Sequence, residues 1–120
     1  MSLQHAIILS GLQELSNESD SGRQCAVTFE ANGGEHWLQC TPLRIHMDWP
    51  FTSSPVESEK LKMCFGHGIR IESWEPDSQV TFVPLSKDVE SLVAGIENAF
   101  RDLYGLGAEY QLTFKIEDID

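Results

Sequence analysis

Positive charge is scarce in this 120-residue chain. Lysine and arginine together number 8 against 19 aspartate and glutamate residues, so the formal net charge is −11 at pH 7. A surface of this kind repels nucleic-acid phosphates and anionic membranes, which argues against nucleic acid and membrane as partners. It suits a basic protein partner, and it equally suits a protein whose acidity only keeps it soluble.

Long apolar runs and cysteines are also few. No run approaches the roughly 20 apolar residues that span a bilayer. The opening segment MSLQHAIILSGL has neither a positive charge ahead of its apolar residues nor a small-residue cleavage pattern, so it does not resemble a signal peptide. Cys25, Cys40 and Cys64 are odd in number and lack metal-binding spacing, which favours buried thiols over disulfides. We therefore expect a cytoplasmic protein.

The residues that are present predict one folded domain over residues 1–120. The length fits a single domain, and a 41% hydrophobic fraction is enough for one core. Apolar residues at helical spacing predict a helix over residues 3–16. The polar stretch Ser16–Arg23 then reads as a loop.

A β-hairpin is predicted next. Alternating apolar residues flank Asn32-Gly33-Gly34, a strong turn signal. A turn at Asn32-Gly33 pairs Val27 with Leu38, whereas a turn at Gly33-Gly34 keeps the same face inward with different partners. Pro42 interrupts the second strand. A further strand is predicted over Leu43–Asp48, followed by a Pro- and Ser-rich loop over residues 49–58.

Two more turns predict a strand meander. Strands over residues 60–65 and 69–74 fold about His67, which pairs Met63 with Ile71 and Lys62 with Glu72. A turn at Glu75–Ser78 with proline in its second position leads to the next strand. This turn places Ile71 opposite Phe82 and Ser73 opposite Val80.

The C-terminal third predicts a helix and a last strand. Ser86 is expected to cap a helix of about 18 residues that stops at Gly105, and Tyr110–Ile116 alternates as a strand. This strand is expected beside an earlier one, and the pattern leaves open whether the two are parallel. The order α-β(5–6)-α-β predicts an α+β fold, in which the N-terminal helix and the long late helix cover one face of a mainly antiparallel sheet.

The chemical motifs are weak, so we predict no catalytic residue, metal or cofactor. His46 and Asp48 share a strand face close to Ser53 and Ser54, which leaves open a small hydrolase or transferase. No elbow or oxyanion-hole pattern accompanies them. Gly66-His67-Gly68 is interpreted as a hairpin turn and not as a phosphate loop.

The aromatic residues carry the main functional expectation. Strand alternation points Trp37 and Trp74 away from the helix-covered side, and Trp49 and Phe51 lie in the adjoining loop. Together they form either a partner-binding surface with an acidic rim or a satellite cluster under the loop. We predict the partner-binding residues Trp37, Trp49, Phe51 and Trp74.

A family resemblance points the same way. The hairpin leading into HWLQC and the helix VESLVAGIENAFRDLYGL resemble the type III secretion chaperone and YbjN-like group of small acidic bacterial proteins. The resemblance implies a noncatalytic, often dimeric protein that binds another polypeptide. We therefore expect a chaperone, adaptor or immunity-type inhibitor of a basic protein, and the alternatives are a structural homodimer and the small hydrolase.

Overall fold

The computed structural model describes residues 2–86 and 88–119. These residues form three α-helices, six strands, a 3-10 turn and a π-helical turn. In chain order they are α1 Leu3–Asp20, β1 Cys25–Ala31, β2 His36–Cys40, β3 Ile45–Trp49, the 3-10 turn Pro55–Glu57, α2 Glu59–Phe65, β4 Arg70–Glu75, β5 Ser78–Val83, α3 Val89–Asn98, the π-turn Ala99–Leu103 and β6 Leu112–Asp118. The predicted α+β class is confirmed.

All six strands form one sheet in the order β4-β5-β3-β2-β1-β6. Every neighbouring pair is antiparallel, including β6 beside β1. The parallel return that the sequence left open for the last strand is therefore wrong. The described helices pack on one face of the sheet, and we call the other face the open face.

Helix α1 is longer than predicted. It runs to Asp20, four residues beyond the predicted end, so the expected loop at residues 16–23 begins only at Ser21. The Ser2 hydroxyl accepts a hydrogen bond from the His5 backbone N–H and caps its first turn. Gly11 lets α1 approach β1, because a Cβ atom there would lie 2.7 Å from the Phe29 ring.

The β1–β2 hairpin takes the second of the two expected registers. Phe29 faces Leu38 and Val27 faces Cys40, as a turn centred on Gly33-Gly34 requires. Asn32, Gly33 and Gly34 all have positive φ, which explains why the turn is rich in glycine. The inward face is confirmed, while the partners expected from a turn at Asn32-Gly33 are wrong.

The predicted strand over residues 60–65 is wrong, because this segment is helix α2. The Ser58 hydroxyl accepts from the Leu61 N–H, and Leu61 and Phe65, four residues apart, are both buried. Met63, which alternation had placed beside them, is 73% exposed. The predicted hairpin about His67 is therefore also wrong, as are its pairings Met63–Ile71 and Lys62–Glu72.

The β4–β5 hairpin matches the prediction on one side of a bulge. Ile71 faces Phe82 as expected, but a register shift between Ile71 and Ser73 moves Ser73 opposite Thr81 instead of Val80. The bulge adds one residue to β4 and therefore reverses the faces of the side chains that follow it.

Helix α3 begins later than predicted. Asp88, not Ser86, is the N-cap and accepts from the Ser91 N–H, while Lys87 lies outside the described residues. The helix widens into the π-turn before the expected stop at Gly105, whose φ is +72°. The large buried side chains of the three helices and the inward sheet face form one core.

Candidate functional site

Trp49 does not lie on a projecting loop. It is the last residue of β3, is 1% exposed and belongs to the core. Its Nε1 donates to the Ser53 carbonyl at 2.9 Å. The prediction ended this strand at Asp48. Ile45 and Met47 point inward, and Trp49 follows at the same spacing of two residues, so a strand that is one residue longer places Trp49 inward as well.

Phe51 is partly buried and packs against the core beside Trp49. Its ring meets the Trp49 ring edge-on with centroids 4.8 Å apart, and its carbonyl accepts from the Asp77 N–H at 3.0 Å. The loop therefore folds against the helix-covered side. The expected exposed projection of Trp49 and Phe51 is wrong, and the pair extends the core itself instead of forming a satellite cluster over the open face.

Trp74 also lies on the helix-covered side. It faces Val80, which is fully buried in the core, and its own ring is partly buried against that core. Strand alternation predicted the opposite side, and the bulge after Ile71 is the physical reason for the error.

Trp37 is the predicted aromatic that does lie on the open face. Its ring centroid is 5.1 Å from that of His46, and its side chain is half-buried. The structure thus brings Trp49 and Phe51 together inside the protein and leaves Trp37 as the aromatic centre of the open face.

Beside Trp37, a row of polar side chains crosses four neighbouring strands. Thr28, Gln39, His46 and Thr81 face one another in turn. Gln39 Nε2 donates to Thr28 Oγ1 at 3.1 Å, and His46 Nδ1 lies 2.6 Å from Thr81 Oγ1. Partial burial lowers the pKa of His46, so this imidazole is neutral at pH 7. We call these four residues the polar row.

A second row of side chains on the open face is acidic. It lies at the end of the sheet that holds the β1–β2 and β4–β5 turns. Glu30 faces Trp37, while Asp48 and Glu75 both face Gln79. We call these five residues the acidic row. Glu30 lies directly beside Trp37 in this row. Asp48 lies across from Trp37 on β3 and bonds His36, whereas Glu75 lies on the edge strand β4, three strands from Trp37.

The strands β2 and β3 separate within the acidic row. Their last paired residues are Leu38 and Met47, although β2 continues along β1 and β3 continues along β5. The Tyr104 hydroxyl enters this split and lies 2.5 Å from the Asp48 carbonyl and 3.4 Å from the Trp37 carbonyl. It therefore supplies a hydrogen bond where the strand ladder has stopped.

His36 closes the same split. Its ring stacks on Tyr104 with centroids 4.4 Å apart, and its Nδ1 lies 2.9 Å from Asp48 Oδ2. Sequence reasoning missed this cluster, because nothing in the local pattern shows that α3 ends over β2 and β3. The π-turn, which shifts Tyr104 relative to a regular helix, became visible only in the structure.

Three of the residues that suggested a hydrolase have other hydrogen-bond partners. Asp48 pairs with His36 and not with His46, and the Ser54 hydroxyl caps the 3-10 turn by accepting from the Val56 N–H. Within residues 2–86 and 88–119, no group of three or more His, Cys, Asp or Glu side chains is placed to hold a metal ion.

One apolar cleft lies away from the open face. It has a volume of about 300 Å³ and lies between the C-terminal half of α1, the turn Thr41–Arg44 and the start of α3. Leu43 projects beside it and is 54% exposed. Burial raises the pKa of the Cys40 thiol, which also lines this cleft, to about 12, so the thiol is protonated and unreactive at neutral pH.

Comparison of the chain with protein-family models, with curated proteins and with solved structures finds no match. Among the described helices, none combines the length and the apolar character that crossing a membrane requires.

Proposed function

We propose that this chain is a noncatalytic protein-binding module that binds a basic protein through the open face. The observation that carries the proposal is the position of Trp37, half-buried within the acidic row on a sheet face free of the described helices. A solvated face is ordinary for an antiparallel sheet. A tryptophan at its acidic end is a feature that interfaces use, since aromatic residues concentrate binding energy.

The size of the open face suits such an interface. Six strands spaced about 4.8 Å apart and about 20 Å long make a face of roughly 600 Å². Adding the adjoining turns brings it close to the roughly 800 Å² that each partner buries in a standard protein complex.

Charge favours a basic partner over other classes. Glu35 and Asp77 are exposed in the turns next to the acidic row and extend its negative charge. Opposite charge speeds association and orients the encounter, whereas a net charge of −11 repels phosphates. A chaperone, an adaptor and an inhibitor of a basic protein all fit this description, and the resemblance noted above supports the same class.

Affinity capture from the native host tests the proposal. We expect the tagged wild-type protein to retain one basic protein that Trp37→Ala loses. Met63→Ala is the matched control, because Met63 is exposed on α2, on the other side of the sheet. Thermal unfolding of both variants must show that they are folded. Equal capture by wild type and Trp37→Ala would contradict the proposal, as would a partner lost only with Met63→Ala.

A homodimer is the second candidate, favoured by one observation. The end of the open face opposite the acidic row carries Arg44 and Arg70, both bonded to Glu72. Two open faces packed with antiparallel orientation would bring these arginines towards the acidic row of the other copy. The net charge opposes this association. Sedimentation analysis at several protein concentrations distinguishes the two functions, and we expect a monomer.

A further inference from the structure

A further inference concerns what the partner places against Trp37, and it rests on the proposed function. We propose that the acidic row binds an arginine side chain of the partner, with the guanidinium stacked on Trp37. Trp37 and the two carboxylates that would bind the guanidinium lie on three neighbouring strands. Glu30 lies directly opposite Trp37 on β1, and Asp48 lies on β3 one residue beyond the last ladder pair.

Glu30 and Asp48, which lie on the two strands that flank Trp37, keep capacity for another cation. Glu30 lies 3.4 Å from Lys115 Nζ, and this exposed lysine is shared with Glu117. Asp48 uses one oxygen towards His36. Since an ionised carboxylate offers about four lone-pair sites, these contacts leave acceptors free for a guanidinium.

The site is held in place before binding. The Tyr104 hydroxyl bonds the backbone of Asp48 and lies within 3.4 Å of the Trp37 carbonyl, so both sides of the split are fixed. The Trp37 ring also packs on His46, which Thr81 holds at 2.6 Å. A preorganised aromatic residue loses little conformational entropy when a partner docks.

The chemistry of this row favours arginine over lysine. A guanidinium is planar, stacks on an indole ring and donates two parallel hydrogen bonds to a carboxylate. A lysine ammonium is a strongly hydrated point charge without that planar fit. Cation–π attraction is also strongest for tryptophan among the aromatic side chains.

Peptide titration with NMR detection tests the inference. The probes are hexa-arginine and hexa-lysine, which carry equal charge, added to the full chain at physiological ionic strength. We expect the Trp37 indole N–H signal, identified by its loss in Trp37→Phe, to shift and saturate. Hexa-arginine should bind about threefold tighter or more than hexa-lysine, as one exposed cation–π contact implies.

Two charge variants locate the contact. Glu30→Gln should weaken hexa-arginine binding by about threefold or more, because it removes an acceptor beside the ring. Glu14→Gln removes the same charge from the exposed surface of α1 and should change binding by less than about twofold, because salt screens distant charges.

The outcomes separate this inference from the proposed function. Equal binding of the two peptides, or shifts that avoid Trp37, would overturn the arginine assignment even if Trp37→Ala abolishes capture of the native partner. Capture that is unchanged by Trp37→Ala would instead defeat the proposed function, whatever the peptides do. Arginine-selective shifts at Trp37 that Glu30→Gln weakens and Glu14→Gln leaves intact would support the inference.

Discussion

The partly buried Tyr104 and the buried Tyr110 have opposite hydrogen-bonding states. The Tyr104 hydroxyl bonds the Asp48 carbonyl in the split between β2 and β3. Tyr110 is 8% exposed, and its hydroxyl has no partner among the described residues. Burial raises the pKa of both groups, to about 12 for Tyr110, so each is a neutral hydroxyl at pH 7. Their free-energy contributions to folding should therefore differ in sign.

The same substitution tests both residues. Tyr104→Phe should destabilise the protein by about 1–2 kcal/mol, because it leaves a buried carbonyl without its donor. Tyr110→Phe should be neutral or stabilising, because it removes a buried hydroxyl that makes no bond. Urea unfolding followed by circular dichroism measures both values. Equal destabilisation by the two variants would show that the Tyr104 bond does not close the split.

At this scale, strand alternation predicted some side-chain positions and missed others. It placed Trp37 on the open face, where the structure has it. It would also have placed Trp49 inward had the strand been extended by one residue. It could not place Trp74, because a β-bulge depends on the pairing of two strands and leaves no mark in the period-two pattern of one.

Among the elements, α2 shows why short apolar patterns are ambiguous. Leu61, Met63 and Phe65 alternate as in a strand, yet Leu61 and Phe65 are also four residues apart, as on a helix face. Ser58 and Glu59 supply the helix signal, as an N-cap and a first-turn acidic residue. In a seven-residue segment the capping residues and the tertiary contacts decide the structure, and only the capping residues can be read from the sequence.

The packing of α1 on the sheet yields a prediction at the element scale. Gly11→Ala should destabilise the protein by about 1–2 kcal/mol, because overpacking against the buried Phe29 ring exceeds the gain in helix propensity of about 1 kcal/mol. Ser10→Ala on the exposed side of the same helix is the control and should be neutral or slightly stabilising. The free energy of unfolding in urea, measured for wild type and for both variants, gives the two effects. A stabilised Gly11→Ala variant would mean that α1 does not approach β1 this closely.

At the scale of the whole molecule, the sequence predicted the α+β class and the burial of one sheet face, because amphipathic helices and alternating strands need a common core. It did not predict the order of the strands. The placement of β6 on β1, and of β5 on β3, depends on contacts between distant segments. The acidic row could not be predicted for the same reason. Glu30, Asp48 and Glu75 come to lie at the same end of the sheet only when the strands have paired.

The distribution of charge over the molecule follows from this assembly. Carboxylates from three strands and two turns lie at one end of the open face, the end that holds Trp37. The opposite face is occupied by helices. Because of this asymmetry, we propose that a partner approaches the sheet face and not the loop that the sequence had suggested.

Hydroxyl-radical footprinting of the captured complex tests whether the partner binds the open face. Oxidation of Trp37 should fall when the partner is bound, while oxidation of Met63, exposed on α2, should stay the same. Trp49, which is 1% exposed, should remain little oxidised in both states. An unchanged Trp37 together with protection of Met63 would contradict the account, because the partner would then bind the helical side of the protein.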